Sequence, residues 1–141
     1  DLLEKLPAGS IITPHVKEFD RLFGEHDTWW ERVQTAKIWS KKKQIVVVLK
    51  NQFSFVCALT GKVLINPTGN PAMAQGGMGD VLTGILSALL AQGYTATDAA
   101  VVGCYIHGRT GDHLAAEQFV VTASQLAERV PFEMRIFAGK D

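Results

Sequence analysis

The sequence predicts an α/β fold with a partly parallel sheet, and three observations carry that prediction. Residues 45–49, IVVVL, form a continuous apolar run of the kind buried on both faces of a parallel sheet. Short runs of this type alternate with stretches of helical periodicity. His15 follows the run SIITP and Lys50 follows IVVVL, so polar groups stand at strand ends, where open α/β sheets gather ligands.

Each element has a local reason. SIIT at 10–13 is β-branched and stopped by Pro14, which favours extended geometry in the residue before it. Residues 18–23 read as one or two helical turns ended by Gly24. Asp27 or Thr28 can cap a helix running through about Ser40, with Trp29, Val33, Ala36 and Trp39 on its apolar face. Packing is the expected role of Trp29 and Trp30, although either could stack on a base. Lys41, Lys42 and Lys43 follow at the helix end, where cations suit the dipole. Residues 53–59 and 62–65 bracket Thr60-Gly61 as a hairpin. After Asp80, Val81, Ile85 and Leu89 recur every four residues beside Leu82, Leu86 and Leu90, the repeat of a helix buried over most of its circumference. A further helix is expected over 97–116, with Thr97 as N-cap and Gly103, Gly108 and Gly111 permitting close packing. The last helix is expected over 122–130, ending before Pro131 and leaving an uninformative tail.

The 141 residues suffice for one domain with a real core, and 47% apolar against 20% charged is an ordinary globular balance. A formal net charge of zero gives no electrostatic footprint for nucleic acid or an anionic membrane, and neither is expected as a partner. Cys57 and Cys104 sit in apolar runs at no metal spacing and read as buried, reduced thiols. No leader is apparent, and the longest apolar run, 81–91, is too short to cross a bilayer, so a cytoplasmic protein is expected.

The stretch that organises the chain is NPTGNPAMAQGGMGDVLTGILSALLAQG at 66–93. Asn66, Thr68 and Asn70 supply hydrogen-bonding side chains, while Pro67 and Pro71 restrict the backbone, a combination that binds ligands at low ordering cost. Gly76, Gly77 and Gly79 then enter an apolar helix. Such an entrance leaves N–H groups unpaired at the positive end of the helix dipole, a ready anion site with Asp80 in the first turn. The spacing is neither G-x-x-x-x-G-K-[ST], which would need Lys at Asp80, nor G-x-G-x-x-G. Turn glycines and a dipole-favoured Asp are the competing account. His107, Asp112 and His113 could suggest a metal, but six residues put the two imidazoles on different helix faces, and no metal site is expected there.

With those residues in view, 66–93 resembles the signature of the ADP-dependent NAD(P)H-hydrate dehydratases, members of the ribokinase-like superfamily. ITPHVKEFDRLFG at 12–24 resembles their TPH-x-x-E-F segment, and VVVLKNQFS at 46–54 their VVLKG-x-x-T segment. The resemblance implies a partial ribokinase-like α/β/α sandwich with a mostly parallel sheet. It implies Asp80 as catalytic base and, with His15, as contact for the hydrated substrate. Nucleotide binding would fall to Lys50, Ser54, Asn66, Thr68, Asn70, Gly76, Gly77 and Gly79, with ADP or ATP as co-reactant and Mg²⁺ accompanying it through no identifiable ligand cluster. Glu18 matches the family's Glu. Val16 and Lys17 stand where the family has Pro-Gly, Asn51 where it has Gly, and Ser54 keeps a hydroxyl at the family's Thr.

The resemblance spans nearly the whole chain, fading after about residue 130. It makes 1–141 the C-terminal portion of one ribokinase-like domain, an expectation that the opening DLLEKLP, which reads as a helix end, supports. An uncovered sheet edge would favour a homo-oligomer, and a fused or separate epimerase is an expected partner. The leading expectation is a lyase of metabolite repair that dehydrates hydrated NADH or NADPH. The alternatives are a ribokinase-like kinase of a vitamin precursor or sugar, which would use the same loop and Asp80, and a fragment that folds and self-associates without catalysing.

Overall fold

The computed structural model describes residues 3–139, so parts of the opening DLLEKLP and closing GKD segments lie outside the described residues. Leu3–Lys5 is a single 3₁₀ turn. Four strands follow in one sheet: β1 (Ile11–Ile12), β2 (Val46–Leu49), β3 (Ser54–Cys57) and β4 (Val63–Asn66), in the spatial order β1-β2-β3-β4. Five α-helices accompany them: α1 (Val16–Phe23), α2 (Trp29–Lys43), α3 (Met78–Ala91), α4 (Ala96–Ala115) and α5 (Ala123–Phe137).

The alternation of side chains along β2 explains the layering. Val47 and Leu49 point to one face and pack with Phe19, Val33 and Ala36 of α1 and α2. Val46 and Val48 point to the other and pack with Leu82, Leu86, Ala100 and Cys104 of α3 and α4. All four residues of the strand are fully buried, as the unbroken apolar run predicts. Helix α5 lies against α3 and α4, with Val130 joining Ile85, Leu89 and Ile106.

The α/β class and the three layers agree with the expectation. Across these four strands, however, the sheet is mixed: β1 pairs β2 in parallel, while β2–β3 and β3–β4 are antiparallel. Connection length is the reason. The crossover through α1 and α2 can return a parallel strand, whereas the short links around Asn51 and Gly61 can only reverse the chain. Gly61, at φ +81°, closes the expected hairpin by donating its N–H to Ala58 O at 2.8 Å.

Several boundaries differ from expectation. Thr28, with Glu31, caps α2, which runs on through the three lysines to Lys43. The cap of α4 is Thr95, not Thr97; its hydroxyl accepts from Asp98 N–H at 3.1 Å. Helix α5 does not stop at Pro131 but continues to Phe137. The missing proline N–H costs the Ala127 carbonyl its partner, while burial of Leu126 and Val130 and the His113–Glu133 contact hold the helix on either side. The tail is therefore structural: Glu133 is fully buried and accepts from His113 Nδ1 at 2.7 Å, with Arg109 and Arg129 Nε at 3.7 and 3.6 Å. Helix α3 is buried on one side only, at Met78, Leu82, Ile85, Leu86 and Leu89, whereas Gly84, Ala88 and Leu90 are exposed.

Helix α1, which leads away from the site edge, is held to α2 by charge. Asp20 accepts from Arg32 Nη2 at 2.6 Å and from Arg32 Nε at 3.0 Å, and contacts His26 Nδ1 at 3.1 Å. The Arg32 guanidinium holds the Asp20 carboxyl below the usual carboxylate range. Because the folded value is depressed, the stability this contributes is complete above the ordinary Asp value and is lost as pH falls through the folded one. Asp20→Asn should therefore lower the denaturation midpoint at neutral pH. The gap from the parent should close below about pH 4, as a denaturation series across pH would show.

Candidate active site

The β1–β2 pairing is parallel, and two reversals bring β4 parallel to them again. The C-terminal ends of β1, β2 and β4 therefore share one edge of the sheet, together with the first residue of β3. Pro14 and His15 leave β1 there, Lys50 leaves β2, and Ser54 pairs with Asn66 at the end of β4. Lys50 N–H donates to Pro14 O at 3.0 Å, tying the first two exits together.

From Asn66 the chain crosses to α3 through a loop that spends its polar side chains on itself. The buried Asn66 donates through Nδ2 to Thr68 O and Cys104 O, both at 3.2 Å, and its Oδ1 lies 2.9 Å from Thr68 Oγ1. That hydroxyl is also 3.1 Å from Tyr105 O. Asn70 accepts from Ala72 N–H at 3.0 Å and caps the short turn Pro71–Met73. Glycines in α4 let the loop lie this close. A Cβ on Gly108 would stand 2.3 Å from Thr68 Oγ1 and 2.7 Å from Thr68 carbonyl carbon, and one on Gly111 would stand 2.0 Å from Met73 Sδ.

The loop delivers Gly77 in the left-handed region, at φ +87°, as the N-cap of α3. The other four α-helices carry a side-chain N-cap: His15, Thr28, Thr95 and Thr122. Helix α3 has none. The N–H groups of Asp80 and Val81 close onto Gly77 O at 3.1 Å; among the described residues those of Gly77, Met78 and Gly79 meet no protein acceptor. Lys50 Nζ lies 3.3 Å from the point a Cβ on Gly79 would occupy, so the ammonium stands at the same turn. Asp80 is exposed in the first helical turn and makes no ion pair or hydrogen bond through its carboxylate among the described residues.

These groups face one open cavity of about 630 Å³, whose lining includes Lys50, Gly77, Gly79 and Asp80, with Thr13, Glu18, Arg21 and Thr83. A cradle of free donors, a cation and an uncommitted carboxylate in one cavity can bind a phosphoryl group and take a proton beside it. Of the residues anticipated from sequence, His15 borders the cavity rather than lining it. It caps α1: its Nδ1 accepts from Glu18 N–H at 3.3 Å, its N–H donates to Glu18 Oε2 at 2.8 Å, and its Nε2 is 3.2 Å from Oε1. The backbone bond from His15 holds Glu18 below the usual range. Asn66, Thr68 and Asn70 build the loop, Ser54 stands at the sheet edge, and Gly76 is exposed beside the turn. Arg21 and Thr83 were not anticipated; each stands one turn beyond a recognised residue, Glu18 and Asp80, a spacing that could have marked them.

Nearby titratable groups serve the scaffold. His107 Nε2 donates to Met78 O at 3.0 Å, and burial pushes its imidazole below the usual range. Burial pushes the Cys57 thiol up to about 11 and the Cys104 thiol to about 12, so both are inert at neutral pH.

A family model described as NAD(P)H-hydrate dehydratase matches residues 3–131. The bifunctional NAD(P)H-hydrate repair enzyme of Moorella thermoacetica is 38% identical over 129 residues, covering 89% of this chain and 24% of that protein. The ADP-dependent (S)-NAD(P)H-hydrate dehydratase of Lactiplantibacillus plantarum is 34% identical, covering 94% and 48%. A crystal structure of the ADP/ATP-dependent NAD(P)H-hydrate dehydratase of Bacillus subtilis, co-crystallised with ATP/Mg²⁺, superposes with a TM-score of 0.83 at 32% identity, covering 90% and 47%. Likeness to ribokinase from Thermotoga maritima, at 19% identity and a TM-score of 0.55 over 86% of this chain and 42% of that one, shows the fold alone. The chain thus spans about half the length of the single-activity dehydratases it matches, and about a quarter of the bifunctional enzyme.

Two glycines test the scaffold. Gly108→Ala forces the Thr68 backbone to move and should cost about 1–3 kcal/mol. Gly84→Ala, exposed on α3 with nothing within 4 Å of its Cβ position, should be neutral or stabilise by up to about 1 kcal/mol. Chemical denaturation of both variants checks the contrast.

Proposed function

The chain belongs to the NAD(P)H-hydrate dehydratase family, and on that premise we propose that its site serves the ADP- or ATP-dependent dehydration of the 6-hydroxy hydrate of NADH or NADPH, restoring the reduced dinucleotide. The observation that carries the reading is the uncapped start of α3: free amides at Gly77–Gly79, Lys50 Nζ at the same turn, and Asp80 uncommitted beside them.

Hydroxide is a poor leaving group, and transfer of the terminal phosphoryl group to the ring hydroxyl makes its departure feasible. Asp80 takes the hydroxyl proton. The Gly77–Gly79 amides and Lys50 hold the charge of the transferring group, as preorganised donors do in phosphoryl transfer. The C–O bond then breaks as the ring nitrogen's electron pair forms a C=N bond to that carbon, and loss of a proton from the adjacent ring carbon to water restores the ring double bond. In sum, nucleotide and hydrate yield the nucleotide shortened by one phosphate, inorganic phosphate and reduced dinucleotide. Glu18, held by the His15 cap, stands on the cavity wall against which the hydrate lies.

Mg²⁺ would enter with the nucleotide, held through phosphate oxygens and water in the way usual for phosphate-bound magnesium. It would neutralise phosphate charge there. Self-association belongs to the same proposal: Phe132, Ile136 and Phe137 of α5 and Ile65 of β4 are exposed apolar side chains that a second copy would cover. Among the described residues no helix is long and apolar enough to cross a membrane.

The test supplies hydrated NADPH, ADP and Mg²⁺ and follows recovery of reduced-nicotinamide absorbance together with phosphate release. Accumulation of a phosphorylated small molecule without phosphate release would instead mark a kinase. Asp80→Asn should lower turnover by about 10²–10⁴-fold while ADP still raises the melting temperature as it does for the parent. Near-parental turnover in that variant would remove Asp80 from the base role.

A further inference from the structure

We propose that Arg21 holds a phosphate group of the hydrated dinucleotide, as a second cation centre separate from the one that holds the nucleotide. The assignment rests on the dehydratase reading of this site and adds a residue to it.

Arg21 and Lys50 line the same cavity from different elements, Arg21 from α1 and Lys50 from the end of β2. Lys50 belongs to the glycine turn, where its ammonium stands 3.3 Å from the Gly79 Cβ position. Arg21 is exposed and makes no ion pair or hydrogen bond to protein among the described residues. Other arginines of the chain are engaged: Arg32 forks onto Asp20, and Arg109 and Arg129 flank the buried Glu133. The acids on its own helix are already taken: Asp20 by Arg32, and Glu18, whose two oxygens receive the His15 N–H and face the His15 imidazole. A guanidinium is thus left facing the cavity with no carboxylate bound to it.

The chemistry gives that group a task. The reaction brings two phosphate-bearing molecules into one cavity, and the amides with Lys50 are occupied by the phosphoryl group in transfer. The second polyanion then needs its own counter-charge, or repulsion between the two would weaken both. Guanidinium is suited to it, because its planar fork meets two phosphate oxygens at once. Leu22 beside Arg21, with Ile12, gives the same cavity wall an apolar patch against which a ring can lie.

The experiment measures equilibrium binding of NADPH, the product that carries the same phosphates, to the 141-residue chain by isothermal titration, with ADP as control. Arg21→Gln should weaken NADPH about tenfold, as loss of a charge-assisted hydrogen bond does, and leave ADP unchanged. Arg21→Lys should fall between parent and Arg21→Gln, because charge is kept and the fork is lost. Unchanged NADPH affinity in Arg21→Gln, equal loss for both ligands, or a parent chain that binds ADP but no NADPH would each overturn the assignment. Arg21-dependent NADPH binding in a chain that restores no dinucleotide from the hydrate would sink the dehydratase reading and leave Arg21 standing. Turnover with no Arg21 dependence of binding would do the reverse.

Discussion

One helix start is left open while its neighbours are closed, and the site depends on that difference. His15, Thr28, Thr95 and Thr122 each give a side-chain acceptor to the first turn of their helix. Gly77 has none to give, and its left-handed backbone turns the chain so that the following amides face outward. A glycine at the cap costs roughly a few tenths of a kcal/mol relative to a good side-chain cap. The structure offsets that cost through burial of Met78, Leu82 and Leu86 on the far side of the same helix. Donors left without protein partners at a firmly packed helix are poised for an anion and need no rearrangement to receive it.

Holding that turn still is the work of α4. Its glycines are the points where other segments touch its backbone: Leu86 at Gly103, Thr68 at Gly108 and Met73 at Gly111. His107 adds a bond from α4 to Met78 O in the first turn of α3, and Val121 N–H reaches Ala72 O from the loop beyond α4. The Asn66 and Thr68 side chains close the remaining gap. They fix the loop that carries the glycine turn to the cavity lined by Lys50 and Asp80.

Much of this was legible in the sequence, for identifiable reasons. The run 45–49 can satisfy a chain only as a strand buried on both sides, and it is one. Thr60-Gly61 between two apolar runs admits little but a hairpin. The glycine cluster before an apolar helix located the uncapped turn with Asp80 beside it. What local pattern could not show was tertiary. Pro131 reads as a stop unless the burial of Glu133 beyond it is known. Thr95 and Thr97 are equal as caps until the start of α4 is fixed by Ala96 and Ala99 entering the core. That Asn66 and Thr68 hydrogen-bond α4, and that Asn70 caps the turn after them, follows from contacts no local pattern announces. The direction of the strands followed from link lengths, which a count of apolar runs does not weigh.

The same apparatus would serve a kinase, and the proposed chemistry explains why a ribokinase-like scaffold needs no new catalytic group to become a dehydratase. Phosphoryl transfer to a hydroxyl requires a base, an anion cradle and a cation, the roles proposed for Asp80, the amides after Gly77 and Lys50. For an ordinary alcohol the reaction ends there, because a carbon–phosphate bond has nothing to expel it. In the hydrate the phosphorylated carbon is bonded to the ring nitrogen, whose electron pair supplies the push. The elimination step is then driven by the substrate. The protein's remaining task is selection: to admit a hydrated nicotinamide ring beside the nucleotide. On the proposed reading that task falls on the wall that Glu18, Arg21 and Leu22 of α1 contribute, a part of the cavity remote in sequence from the glycine turn.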